Sequence, residues 1–340
     1  MTNTQLTLRE ISTLAEEALI ASGASAGAAS SLAAAVTAAE RDGIRSHGLI
    51  YVPIYCEHLK CGKVNVVAEP AVLSQEGSAI VVDADCGFAH PAIDIGFNEL
   101  RPLARALGCA ALTVRNSYNC GVLGYHVERL AEEGLVAIGF TNAPASIAPT
   151  GGQKPVVGPN PFALAVPSGS GGTAFVLDQS ASVVAKSEIM TRAREGRSIP
   201  EGWALDAEGQ PTTDPEQALK GSMAPSGGYK GFGIGLLVEV MAAAPSGATL
   251  GIHASPFSGT QGGPPRTGQC FLALSPDAFS SGTFDDRIQA LTQSIATQGE
   301  ARLPGSRRLG HRQRSESDGV AVDQSLVDRI HSITVGNDAQ

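Results

Sequence analysis

The chain has 340 residues, 43% hydrophobic and 17% charged, with a net charge of −9 at neutral pH. That length exceeds one typical domain and predicts two or three lobes around an ample core. The acidic balance, with no long basic run before residue 300, argues against a nucleic-acid surface, and apolar runs such as Val240-Met241-Ala242-Ala243-Ala244 are too short to span a bilayer.

Residues 7 to 22 place Leu8, Ile11, Leu14, Ala15, Ala18 and Leu19 at helical spacing, ended by Ser22-Gly23. A second helix is expected from about Ala26 to Arg41, and a third from Val52 to Lys60. Three helices before any strand make an N-terminal helical lobe. Ala79 to Asp83 then reads as a short buried strand. Residues 89 to 107 read as a helix with Ile93, Phe97, Leu100, Leu103 and Leu107 on one face. Ala110 to Val114 is a strand, Val122 to Glu133 a helix and Leu135 to Phe140 a strand. This alternation implies an α/β sheet covered by helices. Pro161 to Val166 and Ala174 to Leu177 are strands joined by the flexible loop Ser168-Gly169-Ser170-Gly171-Gly172. Arg192 to Pro215 is polar and turn-rich. Gly231 to Ala244 is a glycine-bearing helix that must pack closely, Gly259 to Gly268 a loop and Cys270 to Leu274 a strand. Phe284 to Ile295 and Gln324 to Ile333 are helices, separated by the basic stretch Arg302 to Arg314.

The stretch Arg41-Asp42-Gly43-Ile44-Arg45-Ser46-His47-Gly48-Leu49 falls between two helical patterns. Ser46 reads as the N-cap of the following helix, which puts His47 in its first turn. An imidazole held there can hand over a proton near neutral pH. The plainer reading is that Ser46 only caps and His47 only packs. Six cysteines, Cys56, Cys61, Cys86, Cys109, Cys120 and Cys270, contain no CxxC and no zinc-type pairing with His, so no metal site is read. Cys86 and Cys109 flank apolar runs and read as small core residues. A reduced cytoplasmic protein is the simplest account, and Met1 to Gln5 shows no signal-peptide pattern. The nearest match to a G-x-G-x-x-G dinucleotide fingerprint is Gly231-Phe232-Gly233-Ile234-Gly235. Its third glycine comes one place early and no strand precedes it, so an ordinary Rossmann site is rejected.

Several segments together resemble the type-2 malate/L-lactate dehydrogenase family of NAD(P)-dependent oxidoreductases. They are Arg41-Asp42-Gly43 with Ser46-His47-Gly48, Val82-Asp83-Ala84 with Gly87-Phe88, Gly158-Pro159-Asn160-Pro161 and Asp178-Gln179-Ser180-Ala181-Ser182. Ile199-Pro200-Glu201-Gly202-Trp203, Pro211-Thr212-Thr213-Asp214-Pro215, Gly227-Gly228-Tyr229-Lys230-Gly231 and Arg302-Leu303-Pro304-Gly305 follow in the same order. The resemblance implies a non-Rossmann, mixed-sheet α/β fold with an N-terminal helical lobe. It divides the chain into residues 1–70, the helical lobe with the Ser-His motif; 71–300, the cofactor- and substrate-binding region; and 301–340, a basic stretch and a helix packing back on the first lobe.

Roles follow from the same resemblance. His47 matches the proton donor, with Ser46 and Glu188 as the pair that relays or tunes its charge; outside the family Glu188 would be a solvated surface charge. Tyr51, Pro159, Lys186 and Ser187 match substrate-contacting positions. Asn119, Cys120, Gly121, Val122 and Leu123 match cofactor positions where a strand gives way to a helix, whose N–H groups suit a pyrophosphate. Asp178, Gln179, Ser180, Tyr229 and Lys230 are further cofactor positions, with Lys230 a candidate phosphate partner. So is the run Arg302, Leu303, Pro304, Gly305, Ser306, Arg307, Arg308, whose arginines suit a ribose 2′-phosphate and favour NADP over NAD. Three positions depart from the family pattern. Tyr51 stands where an arginine often grips the substrate carboxylate, Asn119 replaces a histidine, and Pro159 replaces a threonine. Arg45 and Lys186 are the candidate replacement cations. The resemblance therefore implies hydride transfer between nicotinamide and C2 of a small 2-oxo/2-hydroxy acid of the malate, lactate or sulfolactate type, in a homodimer. The alternatives are a reductase of cyclic ketimine 2-carboxylates and, from another class, an inactive dinucleotide-binding protein.

Overall fold

The computed structural model describes residues 2–335; Met1 and residues 336–340, which end the first and last expected segments, lie outside the described residues. The chain opens with strand β1 (Asn3–Leu6) and helices α1 (Leu8–Ala21), α2 (Ala26–Arg41) and α3 (Val52–Lys60). Thr7 starts α1 through a reciprocal capping box with Glu10, and Ser25 caps α2. Then follow β2 (Ala71–Glu76), β3 (Ala79–Asp83), α4 (Ala89–Leu107), β4 (Cys109–Ser117), α5 (Leu123–Ala131) and β5 (Val136–Thr141). The strands β6 (Phe162–Pro167) and β7 (Thr173–Gln179) form the expected hairpin. Next are α6 (Lys186–Arg194), β8 (Ala204–Leu205), β9 (Pro211–Thr212), α7 (Pro215–Lys220), β10 (Ser222–Met223) and α8 (Tyr229–Ala243). The last elements are β11 (Thr267–Leu274), α9 (Pro276–Ser280), α10 (Phe284–Ala296), α11 (Ser306–Asp318), β12 (Val320–Asp323) and α12 (Gln324–Val335).

The main sheet has seven strands in the order β2-β3-β4-β11-β5-β6-β7. Only β3 and β4 run parallel; the other pairs are antiparallel. Strand β11 arrives from far along the chain and inserts between β4 and β5, so the βαβαβ alternation does not produce a run of parallel neighbours. The middle of the sheet is buried on both faces, as β11 shows. Phe271 and Ala273 join the core under α4 and α5, while Cys270 and Leu272 face Val238 and Ala242 of α8. Phe97 of α4 meets Phe271 edge to face, with ring centroids 5.1 Å apart.

A second core unites α1, α2 and α3 with Val320 and Val322 of β12 and Val327 and Ile330 of α12. Strand β12 pairs antiparallel with β1, from Asn3↔Asp323 to Leu6↔Val320, which ties the two ends of the chain together. A smaller core, including Ile189, Ile199, Ala204 and Met223, lies around the three-stranded sheet β10-β8-β9.

Several expectations need correction. Cys109 is exposed, at the first, outward-facing position of β4. Cys86 is half-buried on a turn with φ 58°, not in the core. Leu107 is 56% exposed, because it ends α4 beyond the last packed turn. The region 192–215 holds the end of α6 and two short strands, and the basic stretch becomes helix α11. Strands β1, β2 and β12 carry too few residues, or too exposed a pattern, for period alone to mark them.

Candidate active site

The Ser-His motif lies in two consecutive 3₁₀ turns, Arg45–His47 and Leu49–Tyr51, ahead of α3. Ser46 therefore does not cap a helix and His47 is not in an α-helical first turn. The break between the turns is Gly48, packed on a buried carboxylate. Glu40, near the end of α2, is 5% exposed, and its Oε1 accepts the Leu49 N–H at 2.8 Å. A Cβ on residue 48 would lie 2.0 Å from that oxygen, so only glycine lets the turn close on Glu40. Burial pushes the Glu40 carboxyl up from its ordinary range.

The hydroxyl of Ser46 lies 2.9 Å from His47 Nδ1, which orients the ring and leaves Nε2 for other work. On its other side the His47 ring lies parallel to Tyr51, with centroids 6.2 Å apart and planes within 3°. Tyr51 in turn packs against Tyr55 at 4.9 Å, and the Tyr55 hydroxyl donates to Asn119 Oδ1 at 3.4 Å. That same oxygen accepts the Gly121 N–H at 3.2 Å. One aromatic file thus leads from His47 to the turn after β4. Burial lowers the His47 pKa, and the negative charge of Asp178 acts against that shift. Two further histidines near this turn, His90 and His126, are wholly buried. Burial pushes His126 down to about 4, and it donates from Nε2 to the Cys120 carbonyl at 2.9 Å. His126 therefore adds no positive charge to the cleft at neutral pH.

Asp178, at the end of β7, joins several of the expected positions. Its Oδ2 accepts the Gly124 N–H at 2.9 Å at the start of α5 and pairs with Arg308 Nη2 of α11 at 3.3 Å. A Cβ on Gly124 would meet Asp178 Oδ2 at 2.8 Å and Arg308 Nη1 at 2.7 Å, so this close approach also requires glycine. One N–H at the start of α5, that of Gly124, is thus already taken by a carboxylate. Asn119 and Gly121 are half-buried on the preceding turn, while Cys120, Val122 and Leu123 are buried beneath it. Burial pushes the Cys120 thiol up to about 12, so it stays neutral.

A second group of expected positions is gathered around Ala181. Its N–H donates to the Pro159 carbonyl at 2.7 Å and its carbonyl accepts the Ser226 N–H at 2.8 Å. Ser180 and Ser182 hydroxyls lie 3.0 Å apart beside it. Asn160, buried with φ 39°, braces the turn by donating to Glu239 Oε2 at 2.7 Å and to the Gly235 carbonyl at 2.9 Å. Helix α8 begins here after Gly227 and Gly228, both at positive φ, and has no side-chain cap. Tyr229, Lys230 and Gln179 are exposed. An uncapped helix start with an exposed lysine is a better fit for phosphate than the start of α5.

Glu188 has a different partner from the one expected. It pairs with Arg192 at 3.0 Å on α6, and Arg192 stacks over Trp203 at 4.8 Å. The negative charge that opposes the burial of His47 is that of Asp178. Lys186 and Ser187 are exposed at the start of α6, and Arg45 is exposed beside the motif. Arg302, Pro304 and Arg307 are exposed, Leu303, Gly305, Ser306 and Arg308 less so; Gly305 lies against the Val176 backbone of β7. Residues not singled out from sequence are Glu40, Tyr55, Glu128 and Arg312. Arg312 bonds Asp42 at 3.0 and 2.8 Å and Glu128 at 3.2 and 3.0 Å. Its only sequence signal is membership of the basic stretch.

A seven-stranded mixed sheet with a helical lobe that carries a serine-held histidine is the arrangement of an oxidoreductase of the malate/L-lactate dehydrogenase type. The chain belongs to that family: the malate/L-lactate dehydrogenase profile matches residues 6–331. It is 43% identical to the (2R)-3-sulfolactate dehydrogenase (NADP(+)) of Chromohalobacter salexigens, over 97% of this chain and 98% of that one. It is 38% identical to a Delta(1)-pyrroline-2-carboxylate reductase of Agrobacterium fabrum, over 96% of each. The crystal structure of delta1-piperideine-2-carboxylate reductase from Pseudomonas syringae pvar. tomato superposes with a TM-score of 0.92 at 32% identity, covering 97% of this chain and 99% of that one.

The Asp178 charge stabilises the His47 imidazolium, so removing it lets burial act unopposed. In Asp178→Asn the titration midpoint of His47, followed by its ring proton resonances, is expected to move to lower pH. An unchanged midpoint, or a rise, would show that Asp178 does not act on His47.

Proposed function

We propose that this chain moves a hydride between NADP(H) and C2 of a small 2-oxo/2-hydroxy acid, with a second anionic group as in sulfolactate. The observation that carries the reading is the full-length 43% identity to an enzyme of that name, together with a serine-oriented histidine under the charge of an aspartate. Bound nicotinamide supplies or accepts the hydride. The proton belongs to His47. In reduction the carbonyl oxygen at C2 becomes an alkoxide, and the imidazolium of His47 delivers a proton to it. Asp178 favours that imidazolium, and Ser46 holds the ring at Nδ1 so that Nε2 faces the substrate. Exposed Lys230 and the uncapped start of α8 would hold phosphate, and exposed Arg302 and Arg307 suit a ribose 2′-phosphate. Arg45 and Lys186 are the cations offered to an anionic substrate.

A second reading, reduction of a cyclic ketimine 2-carboxylate, is supported by the relatives and the solved structure that carry that activity in their names. The proton would then serve the ring nitrogen rather than an oxygen. Loss of NADPH absorbance is followed with sulfopyruvate, oxaloacetate, pyruvate, pyrroline-2-carboxylate and piperideine-2-carboxylate. Turnover is expected with the acyclic acids, sulfopyruvate first, and His47→Ala should lower it roughly 100- to 10,000-fold with little change in dinucleotide affinity. Turnover confined to the imines would replace the first reading by the second. Dinucleotide binding with no turnover on any of the five would mark an inactive binding protein.

Tyr51 decides which acids fit. Its ring fills the space beside His47, four residues on, where a guanidinium could instead grip a carboxylate in bidentate fashion. Tyr51→Arg is expected to lower KM for pyruvate or oxaloacetate and to raise it for the native substrate. A folded variant with the wild-type substrate profile would place Tyr51 outside the site.

The protein is further proposed to be cytoplasmic and homodimeric. All six cysteines are free thiols, which fits a reducing compartment. Among the described residues no helix is long and apolar enough to cross a membrane. Helix α8 is apolar on both sides: Val238 and Ala242 face the sheet, while Leu236, Leu237 and Val240 are about half exposed, with Ile252 nearby in sequence and equally exposed. Fully burying one such side chain contributes about 1.5–3 kcal/mol, so covering this face favours self-association. Sedimentation velocity should report a dimer that Leu237→Lys dissociates; a wild-type monomer at micromolar concentration would refute the assignment.

A further inference from the structure

Arg308 and Arg312 lie one helical turn apart on α11 and therefore share a face. Along α5, Gly124 and Glu128 have the same spacing and meet them rung for rung. On the first rung, Arg308 approaches Gly124 and pairs with Asp178. On the second, Arg312 holds both oxygens of Glu128 and, through Nε and Nη2, both oxygens of Asp42. The second rung is the drier one: the side chains of Arg312, Asp42 and Glu128 are 17%, 7% and 11% exposed. Arg41 also reaches Asp42, at 2.8 Å, and the His311 ring lies against Gly43.

Asp42 ends α2, five residues before His47, and the intervening chain has little slack. Gly43 N–H bonds the Glu40 carbonyl, Ile44 N–H the Ala39 carbonyl at 2.7 Å, and His47 N–H the Ile44 carbonyl at 3.0 Å. A shift of Asp42 is therefore carried into the turn that presents His47. The other end of the same ladder, Arg308 with Asp178 and the start of α5, lies at the cofactor-side residues.

We propose that Arg312 is a positioning residue for the reaction: it locks the His47-bearing turn to α11 and α5, so that the proton donor and the cofactor-side residues share one rigid frame. The proposal rests on His47 being the proton donor. It requires no contact between Arg312 and substrate. A displacement of about 1 Å at a reacting group can cost on the order of a hundredfold in rate. Loss of the clamp therefore lowers kcat while the KM for the acid and the dinucleotide Kd change little.

The test compares Arg312→Met with Arg312→Lys, Asp42→Asn and a control, Arg101→Met, which breaks a 2.7 Å ion pair to Glu133 away from the site. Arg312→Met is expected to lose on the order of a hundredfold in kcat at nearly constant KM, with partial recovery in Arg312→Lys. Asp42→Asn should reproduce the loss with the arginine still in place, which covers the case in which Arg312→Met does not fold. Arg101→Met should lower the melting temperature without touching kcat. An Arg312→Met enzyme that is less stable yet turns over at the wild-type rate overturns the proposal. So does an Asp42→Asn enzyme with wild-type kcat, if Arg312→Met is unfolded. Should no acid or imine be turned over at all, the reading of function fails separately. The rate at which diethyl pyrocarbonate modifies His47, read by peptide mass spectrometry, then decides the positioning role. Faster modification in Arg312→Met or Asp42→Asn supports it, and equal rates in both reject it.

Discussion

The carboxylate of Asp178 sits where separately folded pieces of chain meet. It ends β7, accepts a backbone N–H from the start of α5, pairs with Arg308 of α11 and acts on His47 in the first lobe. A part-buried carboxylate is costly unless its oxygens are satisfied, so these partners must arrive together. Gly124 is the residue that lets them approach, since any Cβ there would collide with both the carboxylate and the guanidinium. The glycine content of the chain thus has a local meaning at this point: it allows charged groups and backbone to close on one another.

The same logic governs the histidine. His47 is not presented by a helix dipole but by two 3₁₀ turns folded onto the buried Glu40. Its environment is apolar and aromatic on one side and acidic on the other. Burial favours the neutral ring and Asp178 favours the charged one. Opposed influences of this kind fit the proton-transfer role proposed for His47.

Beside His47 stands an aromatic wall. Tyr51 and Tyr55 lead from His47 to Asn119, and Phe88 and Tyr118 close the far end. An arginine at position 51 would lie over the Tyr55 ring; a tyrosine instead narrows the space and removes a fixed cation. Under the proposed reading, charge for an anionic substrate comes from Arg45 and Lys186, both exposed.

Local patterns were enough to place most helices. The apolar period of α1, α2 and α4 gives their limits within a few residues, because each buries one stripe on a continuous surface. The Ser-His motif and the order of the family segments were likewise readable from residue identity alone, and with them the fold family. Other features depended on partners remote in sequence. Strand β11 could be recognised as a strand, but its place between β4 and β5 follows from pairing with partners more than a hundred residues earlier in the chain. Strands β1 and β12, only four residues each, exist because they pair with each other. Ser46 looked like a cap because serine commonly caps helices; the approach of Glu40 to Gly48 imposed tighter turns instead. Glu188 pairs with Arg192 one turn away, while Asp178, carried by the sheet, adds its charge at His47. Residue identity therefore determined the family and singled out His47. Which charges act on that histidine was decided by tertiary packing, because a charge acts through distance and burial, and neither is written in sequence order.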